Sequence, residues 1–529
     1  MTEQRKPPHE GHSRRDFLRG AGGAAAAAMF AVPLVEATPA SAQAPNIGCS
    51  PAGDAGGLIR VTHDGHEFVD AHGQAFVPWG LNYDRTYYQG TDVLLEQLID
   101  LNPAKLGRDF AVARGLGANV IRIFPQLNRY LPRLQAIDEA ELAKLDVAIE
   151  TARRNQLRVD LTGLTMIDAR TVPDWVNTAS DEEIIAGQEL FWATVSSRYA
   201  GDPTIFCFNL QNEPYVNWSD GSVAPTACYV MPEGMEYCYL TPHLKSVSAA
   251  WAAWVHEHYR DAATVARAWS DFPLAGETYA SPAIPITAPR PPAYPRLRDF
   301  HLFRLEQATG WTRRMARAIH RTDHTRLVTT GLLPESVMPV DPSGFTPVFG
   351  DYWSGALVDE LDFLCVHLYP GKTGDDPLKL NLRYQEMALS SLYELGKPAV
   401  VEEWLPLGPV DWLEWFDSFV AMSKPVAAGW LSHYQPLLYD GSPDDPAAPP
   451  PWPEGWFDRF STQAAQFRSQ GCRLPRPHWD GELQLDWMAM MESGDVRASA
   501  FDAYRTRRAD SHGPLRVRWR HRRHPGAGE

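Results

Sequence analysis

The sequence predicts a (β/α)8 barrel, an α/β fold of eight parallel strands that each lead into a helix, with a long insertion after the fourth strand. Eight short apolar runs alternate with amphipathic stretches along the 529 residues, and this alternation is typical of a parallel sheet covered on both faces. Eight repeats favour closure of the sheet into a barrel. A doubly wound open sheet is the alternative, although no GxGxxG motif follows the first run.

The predicted strands are the apolar runs, at residues 76–81, 119–124, 157–161, 204–210, 327–330, 363–367, 399–402 and 427–431. Amphipathic periodicity predicts helices at residues 138–155, 183–199, 244–259, 299–320 and 455–469. Residues 58–70 alternate apolar and polar side chains ahead of the first run, which predicts an edge hairpin. The carboxyl ends of the strands should open on one face, where barrels of this kind carry their functional residues.

The sequence divides into three predicted segments. They are a signal at residues 1–42, a barrel at 43–472 and a C-terminal extension at 473–529. An insertion at about 215–297 separates the fourth and fifth strands, and a loop of this length over the strand ends usually shapes a binding cleft. A packing role for the insertion is the alternative. The basic stretch at residues 516–524 is predicted to be a solvated, disordered tail.

The N-terminus has the pattern of a twin-arginine export signal. It contains SRRDFLR at residues 13–19, an alanine-rich apolar stretch at 21–35 and the small residues ASA at 40–42. The apolar stretch is too short to span a membrane and precedes a cleavage site. We therefore expect a secreted or periplasmic protein without a membrane span after cleavage, and an uncleaved anchor is the alternative.

Charge and cysteine content exclude several classes of protein. Acidic residues number 65 against 49 Lys and Arg, so a nucleic acid partner is not expected. Cys207 and Cys365 lie in apolar runs and should be buried, whereas Cys228 and Cys238 lie close together in the insertion, where export would allow a disulfide. No cysteine or histidine cluster has metal-ligand spacing, so we predict no metal and no cofactor.

Acidic residues end two of the predicted strands. QNEP at residues 211–214 places Glu213 after the fourth strand, and Glu402 and Glu403 end the seventh. Two carboxyl groups at one barrel mouth are what hydrolysis of a glycosidic bond requires. Because adjacent residues of a strand point to opposite faces, only one of Glu402 and Glu403 is expected to face the mouth, and the spacing along the run favours Glu403.

Other strands also end in polar residues, and together these segments resemble a known family. Arg122 ends the second strand, and His367 and Tyr369 end the sixth. The chain resembles the retaining β-glycosidases of the large (β/α)8 clan, most closely glycoside hydrolase family 5, the cellulase and mannanase family. The resemblance extends from FVPWGLN at residues 76–82 through the eighth strand. It implies that Glu213 is the acid/base and that Glu403 is the nucleophile.

The same resemblance implies substrate contacts. Asn212 would contact the sugar 2-hydroxyl, Arg122 and Tyr369 would position the nucleophile, and His367 would line the sugar site. The eighth strand departs from the family pattern, because His433 stands near the position of the family's tryptophan and Trp430 lies three residues earlier. Trp404, beside the nucleophile, is the best candidate for an aromatic sugar platform.

The predicted activity is double-displacement cleavage of β-1,4-linked mannan or glucan chains or their oligosaccharides, as in endo-β-mannanases and cellulases, by a monomer without a cofactor. An exo-acting enzyme like the β-galactosidases or β-glucosidases, or one that cleaves glycolipids, is the alternative within this class. The long insertion, with tryptophans in its helices, resembles that of family 42 β-galactosidases. A non-catalytic carbohydrate-binding protein and an exported redox enzyme are the alternatives from other classes.

Overall fold

The computed structural model describes most of the chain after the predicted signal. The described residues are 57–89, 91–164, 167–168, 173–216, 226–230, 236–240, 246–285, 294–337, 352–369, 377–405, 411–433, 454–471, 474–486, 503–504, 506–510 and 513–520. The predicted signal at residues 1–42 and its cleavage site therefore lie outside the described residues. Within the described residues, no helix combines the length and the apolar character that a membrane crossing needs.

The strands, in chain order, are β1 (Arg60–Val61), β2 (Phe68–Val69), β3 (Ala75–Phe76), β4 (Trp79–Tyr83), β5 (Arg85–Tyr88), β6 (Thr91–Leu94), β7 (Val120–Ile123), β8 (Arg158–Thr162), β9 (Ile167–Asp168), β10 (Ile205–Asn212), β11 (Thr226–Val230), β12 (Glu236–Leu240), β13 (Leu327–Leu332), β14 (Leu364–Leu368), β15 (Ala399–Trp404), β16 (Gly429–Ser432), β17 (Gly481–Asp486) and β18 (Leu515–Arg520). The parallel strands β4, β7, β8, β10, β13, β14, β15 and β16 form a closed barrel in that order, with β16 paired to β4. Every residue of these eight strands is buried. The predicted (β/α)8 fold is confirmed.

The helices are α1 (Leu95–Leu101), α2 (Pro103–Gly115), α3 (Leu127–Tyr130), α4 (Glu139–Arg154), α5 (Trp175–Thr178), α6 (Asp181–Arg198), α7 (Val247–His258), α8 (Ala262–Ala268), α9 (Tyr294–His320), α10 (Pro334–Val337), α11 (Ser354–Leu357), α12 (Pro377–Tyr393), α13 (Trp412–Ser423) and α14 (Trp456–Ser469). Side-chain caps set several of their starts. Asp138 accepts hydrogen bonds from the first backbone N–H groups of α4, and Ser180 and Glu183 form a capping box at α6.

An apolar cluster closes the amino-terminal end of the barrel, and we call it the floor. It consists of Ile59, Phe68, Phe76, Val120, Phe206, Cys207, Leu327, Phe363, Cys365, Val400, Ala428 and Leu431. The antiparallel strands β1–β3 cross this end of the barrel. Phe68 belongs to β2, Phe76 belongs to β3, and Ile59 immediately precedes β1. The ring of Phe68 packs edge-on against Phe206 and Phe363 at centroid distances of 5.3 and 5.2 Å. Because Cys207 and Cys365 are fully buried here, they act as small apolar side chains.

A small antiparallel sheet follows the carboxyl ends of two neighbouring barrel strands. β12 pairs with β11, from the insertion, and with β9, from the loop after β8. Cys228 and Cys238 are directly opposite in the β11–β12 ladder. Directly opposed antiparallel residues have Cα atoms about 4.5–5.5 Å apart, which falls in the range of disulfides. The disulfide stays a prediction that this register supports.

The described tryptophans of the insertion pack on one another and on α9, where the Trp251 ring lies 5.3 Å from Phe300 and 5.6 Å from Phe303. Trp251 stacks on Trp254 and Trp269 at centroid distances of 5.3 and 5.6 Å, and Trp251 and Trp269 have no exposed surface. The buried Arg296 lies over the Trp269 ring at 4.6 Å and pairs with Asp271 at 3.0 Å. These tryptophans therefore stabilise the insertion as a folded unit.

The C-terminal extension differs from its prediction. β18 pairs in parallel with β17, and its Leu515 and Val517 are buried. Between them, Arg516 reaches one oxygen of Glu394 on the barrel, at 2.7 Å. The predicted disorder of residues 516–524 is wrong for 516–520, because alternate apolar side chains anchor this segment. Residues 521–524 lie outside the described residues.

Candidate active site

An irregular register delivers Glu213 to the barrel mouth. Asn209 of β10 is opposite Thr329 of β13, whereas Asn212 is opposite Gly331, so β10 has one extra residue at this point. The next residue, Glu213, has a φ of +48° and donates its backbone N–H to the Gly331 carbonyl at 2.8 Å. Positive φ is uncommon outside glycine and often marks functional positions. The bulge and this backbone turn present the Glu213 side chain, which is 14% exposed.

A second bulge delivers two carboxylates from β15. Val401 is opposite Val366 of β14, but Glu403 is opposite His367, so Glu402 is the extra residue. As predicted, only Glu403 of this pair reaches the mouth, but Glu402 does not point outward, because the bulge suspends the alternation and directs both side chains into the barrel. Glu403 lies at the mouth and Glu402 below it, and both are buried.

Glu403 has a hydrogen-bond donor at each oxygen. Arg122 donates from Nη1 to Oε1 at 2.7 Å, and the Tyr369 hydroxyl donates to Oε2 at 2.6 Å. His433 Nδ1 lies 3.3 Å from the same Oε2. Burial acts to raise the pKa of Glu403, but the charges of His367, His433 and Arg122 and the Tyr369 hydrogen bond outweigh it and hold the pKa well below its usual range. Glu403 is therefore an ionised carboxylate.

His367 joins the two mouth carboxyl groups. Its Nδ1 lies 2.9 Å from Glu213 Oε1 and 3.4 Å from Glu403 Oε2. One polar atom from each of Glu213, His367 and Glu403 lies within 4.8 Å of the other two. This closeness is in keeping with the separation of about 5–5.5 Å between the carboxyl groups of retaining glycosidases.

The same three residues are close enough to hold a metal ion, but their protonation does not suit one. Both ring nitrogens of His367 face carboxylates, at Glu213 and Glu402. Burial acts to lower the pKa of His367, but Glu403, Glu213 and Glu402 raise it to about 9. His367 therefore belongs to an ion-pair network with these carboxylates, and a metal ion would bind there only by displacing its proton.

Arg122 organises the strand ends around Glu403. Its Nη2 donates to Asn212 Oδ1 at 2.8 Å and its Nε donates to Thr162 Oγ1 at 2.8 Å. Nη1 also donates to Asn82 Oδ1 at 3.0 Å. Although the guanidinium is fully buried, the charges of Glu402 and Glu403 raise its pKa above the usual value. The arginine therefore stays charged and links β7 with its neighbours and with β15 across the barrel.

Sequence reasoning missed three residues of this network. Asn82, the penultimate residue of β4, donates from Nδ2 to the carbonyls of Glu402 and Ser432, both at 2.9 Å, which joins the first barrel strand to the last two. Asn209 donates to Glu402 Oε1 at 2.6 Å, and Asp160 lies in the same buried layer. Each is a polar residue inside an apolar run, which is the signal that would have identified it.

Two predicted substrate contacts do not reach the mouth. Trp404 has no exposed surface and packs among Trp79, Phe416 and Phe419, at centroid distances of 6.0, 5.2 and 5.5 Å. Trp430 stacks on Phe467 at 5.3 Å and is equally buried. Both indoles lie between the barrel and its helices. The structure therefore brings Glu213, Glu403, Asn212, Arg122, His367, Tyr369 and His433 together, but not Trp404 and Trp430.

Comparison with solved structures places this arrangement on a known fold. A GH42 β-galactosidase from G. stearothermophilus superposes with a TM-score of 0.59 at 13% identity, over 84% of this chain and 65% of that one. An exo-β-1,4-mannosidase from Opitutaceae bacterium strain TAV5 gives 0.52 at 14% identity, over 87% and 72%. GH5_18 from Streptomyces cattleya, in complex with GlcNAc, gives 0.50 at 13% identity, over 84% and 94%.

These neighbours are glycoside hydrolases with a (β/α)8 barrel, and the chain shares that fold. A scan against models of protein families and a search of curated protein sequences find no match. At these identities the likeness extends to the fold alone.

Proposed function

We propose that the chain is a retaining β-glycoside hydrolase. The observation that carries this proposal is the pair of carboxyl groups at the mouth, whose facing atoms lie within 4.8 Å of each other beside His367. Glu403 is buried and ionised, as a nucleophile must be, whereas Glu213 keeps part of its surface exposed toward the mouth. Two carboxyl groups in different environments are what the two roles require.

The reaction follows from the two roles. An oxygen of Glu403 attacks the anomeric carbon of the bound sugar while Glu213 gives its proton to the departing glycosidic oxygen, which leaves a glycosyl ester on Glu403. Esterification removes the negative charge of Glu403. Glu213 then takes a proton from water, the water oxygen attacks the anomeric carbon and Glu403 leaves as a carboxylate. Two inversions give net retention of configuration.

Around the sugar, the neighbouring residues have defined roles. Arg122 and Tyr369 bind the two oxygens of Glu403 separately and so fix its plane. Arg122 holds Asn212 through its Oδ1, and the resemblance to family 5 assigns the Asn212 amide group to the sugar 2-hydroxyl. Hydrogen bonds to that hydroxyl strengthen in the oxocarbenium-like transition state.

The proposed substrates are β-1,4-linked mannan or glucan chains or their oligosaccharides, and the proposed location is outside the cytoplasmic membrane. The substrate rests on the resemblance to family 5, and one neighbour of the same fold is named an exo-β-1,4-mannosidase. The location rests on SRRDFLR at residues 13–19 and the alanine-rich stretch after it. Exo-acting β-galactosidase activity is the alternative.

Turnover of mannan, glucan, xylan and a set of aryl β-glycosides by the wild-type protein and by Glu403→Ala tests the proposal. We expect activity that the variant loses by at least about 1000-fold, with the first product formed as the β-anomer by NMR. Glu213→Ala should instead retain activity mainly on substrates whose leaving group needs no proton. An α-anomeric first product, or turnover that does not depend on Glu403, would contradict the mechanism.

Azide distinguishes the two roles further. A small anion can enter the cavity that either truncation leaves and attack the sugar. In Glu403→Ala it would attack from the empty nucleophile side and give an α-glycosyl azide. In Glu213→Ala it would attack the glycosyl ester and give a β-glycosyl azide. The reverse pattern would exchange the two assignments, and binding of oligosaccharides without any turnover would favour a carbohydrate-binding protein.

A further inference from the structure

Glu402 occupies a position that the reaction itself does not use. It is the extra residue of the β15 bulge, has no exposed surface and lies one layer below the mouth. Its Oε1 is 2.6 Å from Asn209 Nδ2, and its Oε2 is 3.2 Å from Arg122 Nη2 and 3.3 Å from His367 Nε2. Burying a carboxylate costs free energy unless it is paired and hydrogen-bonded. The three nitrogen neighbours of Glu402 offset this cost, although Glu402 takes no part in the proposed reaction.

The hydrogen-bond directions around Glu402 follow from geometry. Asn209 Oδ1 accepts the backbone N–H of Gly331 at 3.1 Å, so the Asn209 amide nitrogen is the group that faces Glu402. Arginine nitrogens only donate. Oε1 accepts from Asn209 and Oε2 faces the Arg122 guanidinium, and although burial acts to raise the pKa of Glu402, Arg122 and His367 lower it to about 2, so Glu402 is the ionised carboxylate. An ionised carboxylate in turn requires that His367 Nε2 carries a hydrogen.

Gly331 provides the space in which these groups meet. A Cβ atom there would lie 2.7 Å from Glu402 Oε2, 2.8 Å from His367 Nε2 and 3.0 Å from Arg122 Nη2. The carbonyl of the same glycine accepts the backbone N–H of Glu213. The polar layer below the mouth is thus built around one residue without a side chain.

We propose that Glu402 is a positioning residue: it holds the Nε2–H of His367 and thereby makes Nδ1 the ring atom that shares a proton with Glu213. With Nε2–H fixed, the one proton on the line between His367 Nδ1 and Glu213 Oε1, which are 2.9 Å apart, can pass from the imidazolium to Glu213, from which the leaving oxygen takes it. When Glu213 gives its proton to the leaving oxygen, the ring cannot rotate away. The same geometry is restored when Glu213 takes a proton from water.

Charged and titratable groups approach this site from five strands. Glu213 follows β10, Glu402 and Glu403 come from β15, Arg122 from β7, Asp160 from β8, and His433 follows β16 and contacts Glu403. Burial and the charge of Glu402 raise the pKa of Asp160 well above its usual range. Asp160 is therefore neutral, which makes Asp160→Asn a matched control for Glu402→Gln, since both replace a buried carboxyl by an amide but only one removes a charge.

The proposal is tested by imidazole ¹⁵N NMR of the full chain labelled at histidine, with the His367 signals identified by their absence in His367→Gln. In the wild-type protein we expect Nε2 to stay protonated as Nδ1 titrates with a pKa of about 9. Glu402→Gln should lower this pKa by at least about one pH unit, because the stabilising charge is gone. Asp160→Asn should leave it unchanged.

Three results would overturn the proposal. They are a wild-type His367 whose Nε2 lacks a proton, an unchanged pKa in Glu402→Gln, and an equal fall in Asp160→Asn. The first is measured without any variant at Glu402, so a folding failure of Glu402→Gln does not leave the proposal untested.

The catalytic side of the role rests on the proposed function, and the NMR result does not. In an active enzyme, the alkaline limb of the kcat/KM profile should move to lower pH in Glu402→Gln and stay in place in Asp160→Asn. A limb that stays in place in Glu402→Gln would overturn the catalytic role. The expected spectra together with no activity on any glycoside would overturn the proposed function instead, and would support the positioning of His367.

Discussion

The two halves of the barrel interior are built on opposite principles. The floor is a cluster of apolar side chains centred on the rings of Phe68, Phe206 and Phe363. The other half, toward the mouth, buries Arg122, Asp160, Asn209, His367, Glu402 and Glu403. Apolar burial stabilises the fold without regard to direction, whereas each buried charge costs free energy unless it is paired and hydrogen-bonded.

The difference separates what holds the barrel together from what performs the chemistry. We expect changes in the floor to lower stability and to leave the rate per folded molecule unchanged. Changes in the polar half should alter the rate and its pH dependence more than they alter the stability. Arg122 and His367 are the exceptions, because each pairs with both Glu402 and Glu403.

Arg122→Leu should have the largest effect, because it lowers both the stability and the rate of turnover. It therefore departs from the contrast between the floor and the polar half. Removing the buried cation takes away a counter-charge that Glu402 and Glu403 share, and breaking a buried ion pair typically destabilises a protein by about 3–5 kcal/mol. The nucleophile also loses a hydrogen bond, so turnover should fall at least about 100-fold. Urea unfolding and aryl glycoside kinetics measure the two effects. Wild-type stability in this variant would contradict the role of Arg122 as the shared counter-charge.

Phe206→Ala should lower stability alone. Truncation of a fully buried phenylalanine costs about 3–5 kcal/mol because apolar contacts are lost and a cavity remains. The kcat per folded molecule should stay within about twofold of the wild-type value, since the floor lies at the opposite end of the barrel. Phe206→Leu, which keeps most of the volume, is the milder control. A selective loss of kcat in Phe206→Ala would show that the two halves are coupled.

Raising the pH should lower the free energy of unfolding through His367, a residue of the polar half. The pKa of His367 is raised from 6.5 to about 9 in the folded protein, so its contribution is complete below about pH 6.5 and is lost as the pH rises through 9. The contribution is on the order of 3 kcal/mol. Urea unfolding between pH 6 and 10 should show this decline in the wild type and in Phe206→Leu, but not in His367→Gln. Parallel curves for all three proteins would refute it.

Gly331→Ala should have the smallest effect of the four. The new methyl group would press on Glu402 and His367, and a misplacement approaching 1 Å at a catalytic centre can cost about 100-fold in rate. Gly310→Ala is the control, because a Cβ at that helical glycine meets nothing within 4 Å. Equal kinetics of the two variants would contradict the packing around Gly331.

The contrast between the apolar floor and the polar half also explains which features the sequence predicted. The eight apolar runs and the polar residues that end them identified the strands, the mouth and the residues Glu213 and Glu403. The two single-residue bulges that shape the mouth escaped prediction, because an extra residue in a run of buried positions leaves no trace in an apolar pattern. One of them brings Glu402 inside the barrel.

Trp404 and the tail show where other errors came from. Trp404 was predicted near the sugar because it follows Glu403, yet adjacent strand residues point to opposite sides, and the indole packs against the helices. Residues 515–520 read LRVRWR, an alternation of apolar and basic residues that fits a strand. Their basic composition suggested disorder, although the period of two was the more informative signal.

The donors around Glu403 have a consequence for the kinetics of the proposed reaction. A carboxylate stabilised at both oxygens is weakly basic, and it is therefore a reluctant attacking group but a good leaving group. Formation of the glycosyl ester should be slower than its hydrolysis, so the ester should not accumulate. We expect stopped-flow traces with an activated aryl glycoside to be linear from the first turnover, without an initial burst of phenol. Tyr369→Phe, which withdraws one donor, would slow ester hydrolysis and shift the traces toward a burst.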